Sequence, residues 1–414
     1  MSNEDFLILL AGVKQGAPPS GTLYIAYTMG IVNVFDGTFN VEPLISFYHL
    51  LMHADDILML ATMRCTVIQK LECLMQYCKN NFIKLQLAKC AMMCVNSDDE
   101  KDEEPIVINN ITLKCSPSEV YLGSVITNSN KLIRDVEADI KHRQVNIVKF
   151  YAFLRSNRNA PVDVKLTVLE ACIFSAILHN AETWADSKID QLEIVYRRML
   201  KSVLGVRMTT CSEFLYVELG VHSIKTYLQV KQFNFWKKVL CLGDSDPLTY
   251  AIALGKRYNI KEVKHYENLI EKYENADEII TEFHEKVKND IRKKAEQNRS
   301  RYITYLKVNP LLEHPSVYKS IYSSKTVSMI AKLRTTTHNL QIDMGRRTLT
   351  PPEQRTCHCG AKEDEEHFLL HCNTYTNIRH HHHVTNTTIS TILDDAKYIP
   401  YINSLYDERK LYRS

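Results

Sequence analysis

Apolar and polar positions change their period about a third of the way along the chain. Up to about residue 130, short apolar runs alternate with turn residues. Residues 6–10 read as a short strand that enters a turn-rich stretch, 12–21, and residues 22–34 are apolar at helical spacing. Residues 50–60 are two apolar runs broken by Asp55 and Asp56, which predicts a hairpin with both carboxylates at its tip. Residues 66–81 carry Ile68, Leu71, Leu74, Met75 and Cys78 at helical spacing. Two β-rich runs flank Asn109-Asn110, residues that tolerate positive φ, and predict a second hairpin. Residues 121–126 read as a further strand.

Beyond residue 130 the pattern is helical. Helices are predicted over 131–156, 164–184, 188–204, 223–241 and 276–308. Asp163 sits where an N-cap would open the second, and Gly205 where a C-cap would close the third. Leu154, Leu166, Leu169, Ile173, Ile177, Leu192, Val195 and Leu200 form the predicted core stripe. Residues 281–307 hold eight Lys and Arg against four acids, with Tyr302 and Tyr305 between them. Such a stretch is a solvated helix face, or a path for a phosphate backbone with tyrosines stacking on bases. The acidic run 98–104 reads as a solvated loop. No internal repeat is visible.

Composition narrows the function classes. The 414 residues suffice for two or three domains with a sizeable core, and 12 Gly and 12 Pro are too few for long flexible linkers. A formal charge of +3 does not by itself imply nucleic acid. The first residues show no charged stretch followed by an apolar run and a small-residue cleavage site, so no secretory leader is expected, and no run of 18 apolar residues predicts a membrane span. Twelve scattered cysteines read as reduced thiols, which places the expected location in the nucleus or cytoplasm rather than outside the cell.

Asp55 and Asp56 are adjacent like charges at the ends of apolar strands. A divalent cation such as Mg²⁺ compensates such a pair and also takes substrate phosphate oxygens. The alternative is a solvated acidic turn. The segment Gly12-Val-Lys-Gln15-Gly16-Ala-Pro18-Pro-Ser20 precedes His53-Ala54-Asp55-Asp56, and Leu85-Gln86-Leu-Ala-Lys89-Cys90 and Tyr121-Leu-Gly123 follow. These four, in this order, resemble the motifs of reverse transcriptases. Ala181-Glu182-Thr-Trp184 resembles a downstream stretch of non-LTR (LINE-type) retrotransposon elements.

The resemblance implies RNA-directed DNA polymerase activity on an RNA template and a DNA primer or target, with deoxynucleotides as substrates. Asp55 and Asp56 would be the catalytic Mg²⁺ ligands. Gln15 and Gly16 would line the nucleotide and template pocket. Lys89 would approach the triphosphate or be a surface lysine. Tyr121 and Gly123 would contact the primer or simply pack a hairpin. The family's third aspartate lies in a Phe-Asp-x-x-Phe strand upstream of the Gln-Gly motif, where only 11 residues stand before Gly12. Phe35-Asp36-Gly-Thr-Phe39 has that pattern in the wrong chain order and reads as a turn. The expectation is therefore a chain that is inactive alone; the alternative is a non-catalytic nucleic-acid-binding remnant.

The tail carries Cys357-x-Cys359-x₇-His367-x₄-Cys372, three thiolates and an imidazole that make a closed Zn²⁺ set. Gly360 provides the turn, while Phe368, Leu369 and Leu370 predict a short helix facing a small core. His358 and His371 are possible substitute ligands, and His380 to His383 read as a solvated loop, with metal binding as the alternative. The expected architecture is α+β: a truncated palm sheet over 1–130, a helical thumb over 131–210, a helical connection region over 211–345 and a zinc-knuckle-like tail over 346–414.

Overall fold

The structure is a computed structural model and describes residues 18–34, 50–95, 104–108, 111–129, 131–185, 189–243, 246–321 and 323–412. The strand reading at 6–10, Gln15, Gly16, the Phe35 to Phe39 turn, the acids at 98–103 and the Asn109-Asn110 turn lie outside the described residues. Two units are distinguished: Met1–Asp139 with Leu242–Gly255, and Ile140–Cys241 with Lys256–Ser414. The described residues are mostly helical, with short antiparallel strands, an α+β composition.

The first unit is built on hairpins. Helix α1 (Ser20–Thr28) continues into the 3₁₀ stretch Met29–Val34. Strands β1 (Leu50–His53) and β2 (Asp56–Met59) pair antiparallel in the register Leu50↔Met59 to His53↔Asp56. Leu50, Met52, Ile57 and Met59 pack with Ile31, Leu74 and Cys78, so the alternation along both strands supplies one buried face. Helix α2 (Arg64–Asn80) meets that face with Leu74 and Cys78, and meets β3 (Ile106–Ile108) and β4 (Ile111–Leu113) with Leu71. Lys70 of α2 is 1 % exposed, and its ammonium donates to the Leu60 carbonyl at 2.6 Å. The reading of 121–126 as one strand is corrected: it spans two strands, β5 (Ser118–Tyr121) and β6 (Ser124–Thr127). Leu122 and Gly123, at φ +47° and +78°, form the two-residue turn between them. Two consecutive positive φ angles match the twist of the flanking strands, and glycine accepts one at little cost. Among the described residues these are three separate two-stranded sheets.

Several predicted helices are interrupted. The stretch 131–156 is α3 (Leu132–Arg143) and α4 (Val145–Ser156), broken at Gln144. Arg143, 5 % exposed, donates to the carbonyls of Ile177 and His179 at 3.3 and 2.6 Å. The stretch 164–184 is α5 (Val162–Val168), a π-helical turn (Leu169–Phe174), α6 (Ser175–Ile177) and the 3₁₀ turn Ala181–Thr183. Pro161, not Asp163, occupies the cap; Asp163 lies in the first turn, where its charge still faces the positive end of the helix.

Helix α7 (Asp190–Leu204) ends as expected at Gly205, φ +64°. Then follow α8 (Ser212–Leu219), α9 (Ile224–Val239, with the Ser223 side chain accepting from Thr226 N), α10 (Pro247–Arg257) and α11 (Lys261–Lys272). The expected helix 276–308 is α12 (Ala276–Glu296) and α13 (Ser300–Val308), with Asn298 in the left-handed region at the break. Asparagine is among the residues that tolerate that conformation. Tyr302 and Tyr305 are 7 % and 0 % exposed and pack against Phe214, which corrects the reading of these tyrosines as base-stacking groups. Of the predicted core stripe, Leu154 and Val195 are half-buried and the rest are buried. Then follow α14 (Ser324–Arg334) and α15 (Gln341–Arg347), and the tail adds a π-helical turn (His367–His371), α16 (Thr376–His381), α17 (Ile389–Asp394) and α18 (Ile399–Leu411). His380 and His381 thus end a helix rather than lying in a loop.

Candidate metal centres

The β1–β2 register leaves a two-residue turn, Ala54-Asp55, with Ala54 at φ +53°. Asp55 therefore stands on the turn, Asp56 on the first position of β2, and both are exposed. The structure brings two further groups to this tip. Tyr121, at the end of β5, has its phenol pKa raised by burial and then by the charge of Asp56. Tyr24, on α1, has its pKa raised by burial, then by the charge of Asp55 and by Cys78. Each phenol thus lies within electrostatic reach of a carboxylate. Tyr24 was not among the predicted site residues. Its signal was a hydroxyl on the helix face shared with the buried Thr28 and Ile31, four and seven residues on.

Gly123 lies beside Tyr121 in the β5–β6 turn. This hairpin is held from behind: Asp139 accepts from Val125 N at 2.6 Å, and Asp135 accepts from Thr127 N and Oγ1 at 2.9 and 2.6 Å. Lys89 ends the 3₁₀ turn Leu87–Lys89 and is exposed; its ammonium makes no hydrogen bond or ion pair among the described residues. Ala181 and Trp184, of the downstream motif, are 0 % and 2 % exposed, and Glu182 pairs with Lys231 at 3.2 Å, so these residues pack the helical unit.

The second centre is the tail. Cys357, Cys359, His367 and Cys372 bring four ligand atoms within 4.8 Å of one another. The Sγ atoms of Cys357 and Cys372 are 3.6 Å apart, those of Cys372 and Cys359 are 3.8 Å apart, and Cys359 Sγ lies 3.2 Å from His367 Nε2. A tetrahedron with Zn–S bonds of ~2.3 Å has S···S edges of ~3.8 Å, so the residues present fit a zinc ion. The loop is closed by Cys357 N donating to the Ala361 carbonyl at 2.7 Å and Gly360 N to the Cys357 carbonyl at 3.0 Å. Burial pushes the Cys357 thiol up to about 12 and lowers the His367 imidazole, which favours its neutral, metal-binding form. A buried thiol in that state lacks the positive charge that makes it a thiolate, and a divalent cation supplies that charge.

The two alternative ligands point elsewhere. His358 stacks on Tyr412 with ring centroids 4.9 Å apart, and His371 is largely exposed with Nε2 3.9 Å from Glu366. Phe368 and Leu369, both 0 % exposed, anchor the turn between the last ligands, and Phe368 packs on Tyr375 and Tyr406. Arg409 grips Glu363 through Nε and Nη2 at 2.6 and 2.8 Å, and His338 Nε2 lies 2.8 Å from Glu365. These buried pairs tie the Cys/His loop to the segment before α15 and to α18.

Among the described residues no helix is long and apolar enough to cross a membrane. No curated protein matches the chain. A family model does: its match runs from residue 2 to residue 147 and so includes the carboxylate hairpin, Lys89 and the Tyr121-Leu-Gly123 turn. That model is the one described as reverse transcriptase (RNA-dependent DNA polymerase), and residues 2–147 are similar to it.

Proposed function

We propose that the chain carries the palm, thumb and C-terminal zinc tail of a non-LTR retrotransposon reverse transcriptase and engages an RNA template and a DNA primer or target. One observation carries this reading: the reverse transcriptase match over residues 2–147 takes in both the β1–β2 hairpin with Asp55 and Asp56 at its tip and the Tyr121-Leu-Gly123 turn. Asp55 and Asp56 hold a Mg²⁺ ion there, and Tyr121 with Gly123 meets the primer strand. Gln15 and Gly16 line the nucleotide pocket, and Lys89 reaches the triphosphate. The tail ligands hold zinc, which fixes the loop between α15 and α18. The order of the segments supports the reading, because the reverse transcriptase match is followed by a helical unit and then by the Cys/His cluster.

Two adjacent carboxylates on one hairpin ligate one ion, whereas two-metal transfer holds two ions roughly 3.5–4 Å apart. The chain by itself is therefore a weak or inactive polymerase. Two measurements test the reading. Mn²⁺ titration followed by electron paramagnetic resonance is expected to show an ion that is lost in the Asp55→Asn/Asp56→Asn variant. Primer extension on an RNA template with Mg²⁺ is expected to give no product. Absence of Mn²⁺ binding removes the carboxylate site. Mg²⁺-dependent synthesis abolished by Asp55→Ala overturns the assignment of inactivity.

A further inference from the structure

Five guanidinium groups gather around α15 on the helical unit. Asp343, 1 % exposed, accepts from Arg207 Nη1 at 2.7 Å and from Arg301 Nη2 at 3.3 Å, and Arg347 Nε lies 3.5 Å away. One carboxylate has about four lone-pair sites, while each guanidinium has five N–H donors. Arg207 Nη2 also donates to Asn339 Oδ1, and Arg301 Nη1 to the Thr209 carbonyl at 3.3 Å; the three side chains still keep 24 %, 23 % and 39 % of their surface exposed, so part of each fork faces solvent. Arg346 is the fourth. Its Nη2 donates to Ser300 Oγ at 3.1 Å, while its Nη1 is buried with no hydrogen-bond partner. Leaving a buried charged donor unmatched is costly, and an anion is the group that matches it. Arg355 is the fifth: a Cβ on Gly345 would come within 2.6–2.7 Å of its side chain. Burial lowers the Arg346 pKa; Glu365 and Asp343 oppose that effect, and Arg301 and Arg355 add to it. The five guanidinium groups thus outnumber the two carboxylates, Asp343 and Glu365, beside the buried Arg346 Nη1.

We infer that Arg207, Arg301, Arg346 and Arg347 form a phosphodiester-binding site on the helical unit, positioned by the buried carboxylate of Asp343. Guanidinium forks suit phosphate oxygens, and the buried carboxylate orders them before the ligand arrives. The neighbouring Tyr302 and Tyr305 are buried, so the site grips the backbone and does not read bases. That the phosphate belongs to nucleic acid, rather than to another polyanion, rests on the reverse transcriptase reading above.

The test uses the full chain loaded with Zn²⁺ and fluorescence anisotropy of a labelled 20-base-pair DNA duplex over a range of salt concentrations. Arg346→Gln and Arg347→Gln are each expected to weaken binding about tenfold, the loss of one charge-assisted contact. Each should also make the slope of log affinity against log salt shallower by about 0.9. Lys397→Gln, an exposed lysine on the same unit, is expected to change neither by a comparable amount. Arg347 is half-exposed on the last turn of α15, so its variant keeps the test decisive where Arg346→Gln unfolds. Unchanged affinity and slope in both folded variants overturn the site, and Mn²⁺ binding retained at Asp55-Asp56 in the same samples leaves the proposed function standing. A wild-type chain that binds no duplex overturns the site as well. Displacement of the duplex by polyglutamate at equal charge concentration assigns the patch to acidic protein and overturns the nucleic-acid assignment.

Discussion

Glu218 is a charged residue in the largely apolar helix α8 and is 0 % exposed. Its carboxylate accepts from Tyr305 at 2.9 Å, from Tyr318 at 2.6 Å and from Arg334 Nε at 2.7 Å. Removing one member of a buried ion pair leaves the other uncompensated, which costs about 3–5 kcal/mol. Glu218→Ala is therefore expected to lower the urea midpoint of the helical unit strongly, and Glu218→Leu with Arg334→Met to recover part of the loss. A second prediction concerns His222, which stacks on Tyr227 with centroids 3.7 Å apart. Burial, with His284 adding to it, lowers its pKa from 6.5 to about 4. Between these values the unfolded chain binds the proton and the folded chain does not. Stability is therefore complete above pH 6.5 and falls as the pH drops towards 4, by on the order of 2 kcal/mol. Urea unfolding at pH 7, 5.5 and 4.5 should show this slope, and His222→Gln should flatten it.

At the scale of elements, the hairpins were the most legible features. The β1–β2 pair is written locally, since two apolar runs flank two acids and the strands are joined by a two-residue turn. The end of α7 is equally local: Gly205 has φ +64° and packs beneath Ser328. A Cβ there would stand 2.9 Å from Ser328 Cβ, so Gly205→Ala meets both backbone strain and a clash. It is expected to cost about 1–3 kcal/mol by thermal unfolding. Gly243→Ala, with open space around it, should be close to neutral. Helix interruptions were not legible. The apolar period runs unbroken through Gln144 and past Gln297, because periodicity records which face is buried and not where the axis turns. Those breaks are set by tertiary demands, such as the carbonyls that Arg143 must reach.

For the whole molecule, the Cys/His cluster of the tail is expected to tie stability to a metal ion. Zinc is expected to bind one ion per chain in the wild type and none in a Cys357→Ser/Cys372→Ser variant, as read by elemental analysis. Removing it with a strong chelator should expose the tail to proteolysis and lower the melting temperature. Affinity should fall as the pH is lowered, because the thiols must lose their protons to bind. The ligand set was legible because all four residues lie within one short segment, and thiol and imidazole chemistry at that spacing is informative by itself. The partnership of Asp56 with Tyr121, the meeting of Glu218 with Arg334 116 residues away, and the arginines around Asp343 were not. By itself, the sequence determined the strand pairs, the helical stretches, the acidic tip and the metal loop, since each is satisfied by residues close along the chain. Only the tertiary structure decided which distant groups stand beside them. A buried charge or phenol requires a partner, but the requirement is met by whichever group the packed helices bring near, and that choice leaves no mark in local periodicity.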